Sequence, residues 1–397
     1  MKIVVVSAFY SEGMGYTENC LPKVLASLGH EVYVITSNMN VYGTSPDYHK
    51  TYELFLGPAD QGQGMFLVDG YVVHRMSSSV IFGYVYIKDL VQKVKEINPD
   101  IVHSIEIASL QTFALAIAKP FSKFKFFAET HQHLSVVRPF LKTEQGFFFQ
   151  KLFYKLTRTL PTFLASLAVK KCYAISPDCA EVAINYYGVP KDKIVLQSLG
   201  TDTELFGRVN DENASDGRSK FRKTLGYSDD DIVCIYTGRF SVDKNPLLLA
   251  RAIDVLAKDH PSFHGLFIGE GPQKDQIEIL RNCKILPFMK HKELAQYYHA
   301  SDIAVWPTQE SMSMLDAAAC GLPLVVSNRM GESERIIDNG MTYDENNLDS
   351  LVKVISSLLS KTKRQALGTT GRNKMIDKFS WNIIGKKIES DFQSDLQ

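Results

Sequence analysis

The feature that most constrains the fold is an alternation, run twice, of short apolar stretches with longer helix-patterned ones. In the first run "KIVVVSAF" leads to a helical stretch near Thr17–Leu28 and then to "HEVYVITS". "DIVHSI", "FKFFAET", "KCYAIS" and "KIVLQSLG" follow. These runs are almost continuously apolar, as strands covered on both faces are. Strand–helix alternation of this kind implies a parallel, doubly wound sheet. The alternation breaks at "GRVNDENASDGRSK" (Gly207–Lys220), which lacks apolar periodicity and reads as a surface linker. It resumes with "DIVCIYTG", a helix from about Pro246, "GLFIGEG", a helix from about Gln273, "KILPF", "DIAVWP" and "LPLVVSN". At 397 residues the chain exceeds one typical core. The expected fold is therefore α/β: two doubly wound, Rossmann-like domains facing across a cleft, residues 1–203 and 204–378. In such sheets ligands bind at the carboxyl ends of the strands.

Composition narrows the function. Lys plus Arg equals Asp plus Glu at 44 each, which argues against a whole-chain nucleic-acid binder. The six cysteines show no C-x-x-C spacing, and several lie in apolar segments, as reduced core thiols do. A cytoplasmic, disulfide-free protein is expected. The apolar run of "MKIVVVSAFY" is too short for a signal peptide, and no segment approaches the roughly 20 apolar residues of a membrane span.

Three stretches of the second half carry chemistry. In "TGRFSVDKNP" a strand ends at Gly238, and Arg239 and Lys244 lie on the loop before Pro246 opens a helix. Two cations at a strand end suit a diphosphate, Arg as a planar fork and Lys as a point charge. A solvated loop with a salt bridge to Asp243 is the plain alternative. In "IGEGPQ" the glycines permit a tight turn and close backbone approach. In "WPTQESMSMLDAAACGLP" a helix is expected from near Ser311–Ser313 to Gly321. The N–H groups of Ser311, Met312, Ser313 and Met314 would then face an anion, with Glu310 just outside and Asp316 in the first turn. The competing reading is a capping box, Ser313-x-x-Asp316.

Together these stretches resemble the family-4 retaining glycosyltransferases of the GT-B fold. The resemblance extends to "GHEVYVITS", "DIVH", "ETHQH" and "YGVPKDKIVLQSLGTDTELF" in the first half. That last segment is similar to the family's stretch ending in Gly-Val-Asp with a nearby Phe. In the second half it includes "GRFSVDKN", "IGEGP", "ASDIAVWP" and "AAACGLPLVVS". The resemblance implies a transferase moving a sugar from a nucleotide-diphosphate sugar to a hydroxyl of a glycan or lipid-linked acceptor, in polysaccharide or glycoconjugate synthesis. It implies retention of configuration and neither cofactor nor metal. It assigns Arg239 and Lys244 to the diphosphate, with Gly238 beside them. Asp316 falls to the ribose, Glu310 to the sugar and Phe288, in "PFM", to the nucleobase. Gly13 and Gly15 take the donor-facing loop of the first domain. His131 is placed near the sugar, with His133 as the alternative. The tail, 379–397, is similar to the family's last helix, which packs back on the first domain. Two departures from the family stand out near this acid pair: five residues separate Glu310 from Asp316 where the family has seven, with Asp instead of Glu as the second acid, and Ser311-Met312-Ser313 replaces the Gly-Phe-Gly that often follows the first acid.

Two other functions fit the same fold: a nucleotide-sugar epimerase, and a non-catalytic subunit that binds a partner transferase. NAD-dependent redox chemistry is disfavoured because Glu18 stands where a third glycine is needed and no acid ends the second strand. Residues 140–171 mix Phe and Tyr with Lys142, Lys151, Lys155 and Arg158. They read either as core packing with a cationic outer face or as a peripheral contact with the inner face of a membrane.

Overall fold

The computed structural model describes residues 1–46, 48–134, 137, 152–207, 214–308, 311–330 and 333–397. Strand β1 (Lys2–Ser7) is buried over nearly its whole length and lies inside a sheet of eight. The other strands of that sheet are β2 (Glu31–Ser37), β3 (Gly64–Val68), β4 (Tyr71–Met76), β7 (Ile101–Ser104), β8 (Lys125–Thr130), β9 (Cys172–Ala174) and β10 (Ile194–Leu196). Their order is β10-β9-β8-β7-β1-β2-β4-β3. All neighbours are parallel except β3, which runs antiparallel to β4 at the edge. The parallel, doubly wound sheet expected from the sequence is present, with this antiparallel hairpin added at its edge. A separate two-stranded hairpin pairs β5 (Ser78–Ile81) with β6 (Tyr84–Ile87).

The second sheet has six parallel strands: β11 (Ile232–Thr237), β12 (Phe263–Ile268), β13 (Cys283–Leu286), β14 (Ile303–Trp306), β15 (Leu324–Ser327) and β16 (Gly340–Tyr343). Their order is β13-β12-β11-β14-β15-β16. Each sheet reverses winding direction once, between β1 and β7 in the first and between β11 and β14 in the second. Such a switch point opens a crevice at the carboxyl ends of the two strands.

The chain divides into two compact units, Met1–Leu199 with Ile384–Gln397, and Gly200–Ile383. The helix Trp381–Leu396 sends Ile384, Ile388 and Phe392 into the first core. Phe392 packs on Phe127 at 4.6 Å between ring centroids, and Asp391 accepts hydrogen bonds from Lys171 and Tyr173.

The expected linker at Gly207–Lys220 is overturned in its second half. A helix runs over Ala214–Thr224. It lacks an apolar stripe because its inward positions are two arginines one turn apart. Arg218 and Arg222 each reach one carboxylate oxygen of Asp302 at 3.0 Å. Arg222 is fully buried and also donates to the carbonyls of Ser228, Ala300 and Asp231. A buried cation is tolerated because all three of its nitrogens donate hydrogen bonds and Asp302 balances its charge.

All six cysteines are free thiols, and five are buried. No described helix is long and apolar enough to cross a membrane. Of the stretch 140–171, residues 140–151 lie outside the described residues. The remainder corrects the core-packing alternative. From Phe153 to Ala168 the chain is helical, yet Thr162, Ala165 and Ser166 face inward while Phe153, Leu156, Leu160, Leu164 and Leu167 are exposed. Beside them the β5–β6 hairpin exposes Phe82, whose ring meets Phe153 edge-on at 5.4 Å. Arg158 stacks over Tyr84 at 3.6 Å and donates to the Phe82 carbonyl. Phe82 has φ 51°, a left-handed conformation unusual for a bulky residue. Large apolar residues outward and small ones inward is the reverse of a core helix.

Candidate active site

In the second unit the switch point gathers the loops after β11 and β14. After β11 the chain turns through Gly238 (φ 145°) to Arg239 and Lys244. Arg239 is exposed and Lys244 half-buried. The loop is pinned from below: the Tyr236 hydroxyl donates to the Arg239 carbonyl at 2.9 Å, and Phe240 exchanges backbone bonds with Glu270 and Gln273. Asp243 sits below the ordinary carboxylate range through the neighbouring Ser241 hydroxyl and, more weakly, the charges of Arg239 and Lys244. Pro246 opens the helix Pro246–Asp259 as expected.

The glycines of "IGEGP" serve this loop. A Cβ on Gly269 would lie 2.0 Å from the Gly238 carbonyl oxygen, and one on Gly271 would lie 2.8 Å from the Phe240 backbone. The two loops thus pack backbone against backbone. Phe288, half-buried, follows β13 on the same edge of the sheet.

The loop after β14 leads into a helix of seven residues, Ser313–Ala319. Gln309 and Glu310 lie outside the described residues, so the sugar-contacting assignment of Glu310 has no structural counterpart here. The capping box does not form. The N-cap is Met312, without a side-chain cap, and the Ser313 hydroxyl bonds Tyr298 instead. Nor do all four amides point outward: Met314 N–H donates to the Ser311 carbonyl at 3.0 Å, and Ser311 N–H meets the Met314 sulfur at 3.4 Å. Asp316 turns inward and is 2% exposed. One carboxylate oxygen accepts from the Thr201 hydroxyl at 2.7 Å, the other from His291 Nε2 at 2.9 Å. His291 in turn meets the Phe206 ring edge-on at 4.8 Å. Both oxygens of the acid assigned to ribose are therefore engaged within the unit.

In the first unit the loop after β1 carries Gly13 (φ 77°) and Gly15 (φ 69°), both in the left-handed region that glycine permits, and leads into the helix Thr17–Ser27. The ends of β7 and β8 and the first turn of that helix together hold five buried or half-buried titratable groups, His103, Glu106, Glu129, His131 and Glu18. Glu129 lies between two imidazoles: Oε1 accepts from His103 Nε2 and Oε2 from His131 Nε2, each at 2.7 Å. Burial pushes the Glu129 carboxyl up, but the hydrogen bonds from His103 and His131, with the charge of His131, outweigh it and hold it down at about 2. Glu106, with φ 81°, accepts from the backbone N–H groups of Ala108 and His131. Burial raises its pKa, and raises that of Glu18 to about 7. His133 stands apart, exposed and paired with Asp178 at 2.8 Å. Of the two histidines, His131 belongs to the cluster. Among the described residues no group of three or more His, Cys, Asp or Glu is arranged to hold a metal ion.

Sequence reasoning did not identify Glu18, His103, Glu106, Glu129, Thr201 or His291. Glu129 was legible in principle: it precedes His131 by two in an extended strand, which puts both on one face. The others meet only through sheet order.

Two doubly wound sheets, each with one switch point, place the chain among α/β proteins built of two Rossmann-like units. The model of glycosyl transferases group 1 matches residues 217–374, and that of glycosyltransferase family 4 matches residues 21–205. The chain belongs to the family-4-type glycosyltransferases with the GT-B fold. It is 24% identical over 390 residues to alpha-monoglucosyldiacylglycerol synthase of Acholeplasma laidlawii, covering 93% of this chain and 90% of that protein. A glycosyltransferase from Rickettsia africae ESF-5 superposes with a TM-score of 0.71 at 17% identity, covering 100% of this chain and 98% of that one. Anabaena Alr3699/HepE, solved with UDP, superposes with a TM-score of 0.69 at 17% identity, covering 99% and 100%. The same protein has been solved with UDP-glucose.

Proposed function

We propose that this enzyme transfers a sugar from a nucleotide-diphosphate sugar to a hydroxyl of a lipid-linked or glycan acceptor, with retention of configuration. In the reaction the acceptor oxygen replaces the diphosphate oxygen on the anomeric carbon, and the departing diphosphate takes up the acceptor proton. Negative charge grows on the leaving group, so fixed positive charge near it lowers the barrier. The observation that carries the reading is the Arg239–Lys244 loop, held at a switch point by Tyr236, Gly269 and Gly271. Arg239 and Lys244 bind and stabilise the diphosphate in this reading, without a metal. Gly13, Gly15 and His131 serve the donor from the first unit. UDP bound by a structural neighbour supports a nucleotide donor.

The inverted helix 153–168 favours a lipid-linked acceptor and a peripheral site at the cytoplasmic face of a membrane. Lys155 and Arg158 lie along the helix and no Asp or Glu occurs from 152 to 168, whereas Lys170 and Lys171 just beyond pair with Asp395 and Asp391. An apolar surface bordered by cations suits an anionic bilayer. A relative named for monoglucosyldiacylglycerol synthesis is consistent with it.

The test is a thermal-shift series with nucleoside diphosphates and nucleotide sugars. A ligand at a hundred times its Kd stabilises the native state by about 2.7 kcal/mol. At least one nucleoside diphosphate raises Tm, and Arg239→Ala with Lys244→Ala abolishes the rise. A rise that survives both substitutions rejects the diphosphate assignment. Formation of a donor epimer without acceptor would identify an epimerase instead.

A further inference from the structure

We propose that Glu129 is a positioning residue for the transfer reaction, holding His131 doubly protonated so that its second ring N–H is presented to a substrate oxygen. The inference rests on the glycosyltransfer reading above, in which His131 serves the donor.

The proton inventory of the cluster leads there. Glu129 accepts on both oxygens, one from each imidazole, and its side chain is 4% exposed. A carboxyl that accepts on both sides between two N–H donors is ionised. His103 is sealed in, its side chain 0% exposed. Its Nε2 donates to Glu129, and its Nδ1 is buried with no hydrogen-bond partner. A proton on that nitrogen would be a buried, unpaired N–H, so His103 is the neutral tautomer with hydrogen on Nε2. The positive charge that balances Glu129 therefore belongs on His131. That ring is 27% exposed and reaches Glu129 through Nε2, which leaves Nδ1 on its open edge.

The surroundings agree. Glu106, on the turn after β7, accepts the His131 backbone N–H at 3.1 Å. Glu18 approaches from the first turn of the helix Thr17–Ser27. Cys172 and Tyr173 lie on β9 behind His103, with Asp391 and Lys171 beyond Tyr173. Burial opposes a charge on His131, but the hydrogen bond and charge of Glu129, then the charges of Glu106 and Glu18, outweigh it and raise its pKa. A neutral imidazole bonded through Nε2–H would offer a bare Nδ1, an acceptor and a base. The imidazolium offers a cation and a donor, which is what a departing diphosphate or a sugar hydroxyl oxygen requires.

The test uses the full chain with ¹⁵N-labelled histidine, His131 being assigned by the signal lost in His131→Gln. In the wild type both His131 ring nitrogens are protonated at pH 7, and the proton leaves above the ordinary imidazole value of about 6.5. In Glu129→Gln the proton affinity of His131 falls at least tenfold. The high-pH limb of kcat moves down by the same factor, while KM for the donor changes less. A purely structural role for Glu129 would lower stability without moving that limb. A wild-type His131 that is neutral at pH 7 overturns the proposal, even if Glu129→Gln does not fold. So does an unchanged His131 titration in Glu129→Gln. The expected titration without turnover of any nucleotide sugar supports the charge assignment and rejects the reading of the reaction.

Discussion

Thr201 and Asp316, 115 residues apart in the sequence, meet hydroxyl to carboxylate at 2.7 Å. They are also two places where the chain departs from the pattern it resembles: Thr stands in the Gly-Val-Asp segment in place of Val, and Asp stands in place of Glu. The departures complement each other. Asp is one methylene shorter, and the Thr hydroxyl supplies the partner that a Val cannot. Removing either side leaves a buried polar group short of a bond, which costs about 1–3 kcal/mol. Thr201→Val and Asp316→Ala each lower stability by that order, and the double substitution costs about 1 kcal/mol less than their sum. Both tryptophans, Trp306 and Trp381, lie in the same unit, so urea unfolding followed by their fluorescence reads the cycle. Strict additivity would show that the contact carries no coupling.

Glu18 sets a pH dependence of opposite sign to that of a salt-bridged acid. Its folded pKa is raised from 4.5 to about 7 by burial. The folded state therefore prefers the protonated form, and its contribution is intact below the unfolded value and lost as pH rises through about 7. Glu18→Gln, which keeps the shape and removes the titration, is more stable than the wild type by about 2–3 kcal/mol at pH 8. At pH 4 the difference disappears. Urea unfolding followed by circular dichroism at the two pH values decides it, and a variant less stable at pH 8 would refute the assignment.

Gly269 and Gly226 separate steric contact from backbone conformation. Both have positive φ, but a Cβ on Gly226 meets nothing within 4 Å, whereas on Gly269 it meets the Gly238 oxygen at 2.0 Å. Gly226→Ala costs about 1 kcal/mol, the conformational penalty alone. Gly269→Ala costs about 3 kcal/mol or more, because the neighbouring backbone must move. It also weakens nucleoside diphosphate binding, since that backbone carries Arg239. Equal losses in Tm for the two variants would exclude a role for close packing of the loops.

The inverted helix makes a prediction at a lipid surface. The protein sediments with vesicles containing anionic lipid, less so as salt is raised. Phe82→Ser with Phe153→Ser reduces the bound fraction several-fold while leaving Tm within a few degrees, because both rings are exposed. Binding that ignores vesicle charge would exclude the electrostatic part of the surface.

Most strands of both sheets were legible because burial on two faces writes itself as unbroken apolar runs; β3, β4 and β16, which are only partly buried, were not. So was the Arg239–Lys244 loop, whose cations lie next to a strand end and a proline that opens a helix. The helix Ala214–Thr224 was not legible. Its inward face is Arg218 and Arg222, and their partner Asp302 lies some 80 residues on. Local pattern cannot distinguish that face from a solvated one. Capping was over-read at Ser313 and Asp316 for the same reason. The spacing fits a box, but Thr201 and His291, brought in by the fold, bind the acid, and Tyr298 takes the Ser313 hydroxyl. In 153–168 the spacing was helical as read. Only the packed structure tells which side of the helix faces the core.

The return of Ile384–Gln397 to the first unit bears on how the protein is made. The second unit is complete once residue 383 has been synthesised, while the first lacks Phe392, which closes over Phe127 and His103, until residue 392 has followed. Maturation on the ribosome is thus expected to run against the order of the genes' reading: the later-translated unit becomes protease-resistant in chains halted near residue 383 with a spacer, and the earlier one only in chains extended past residue 392. Until then the His103–Glu129–His131 array lies under an unfinished roof.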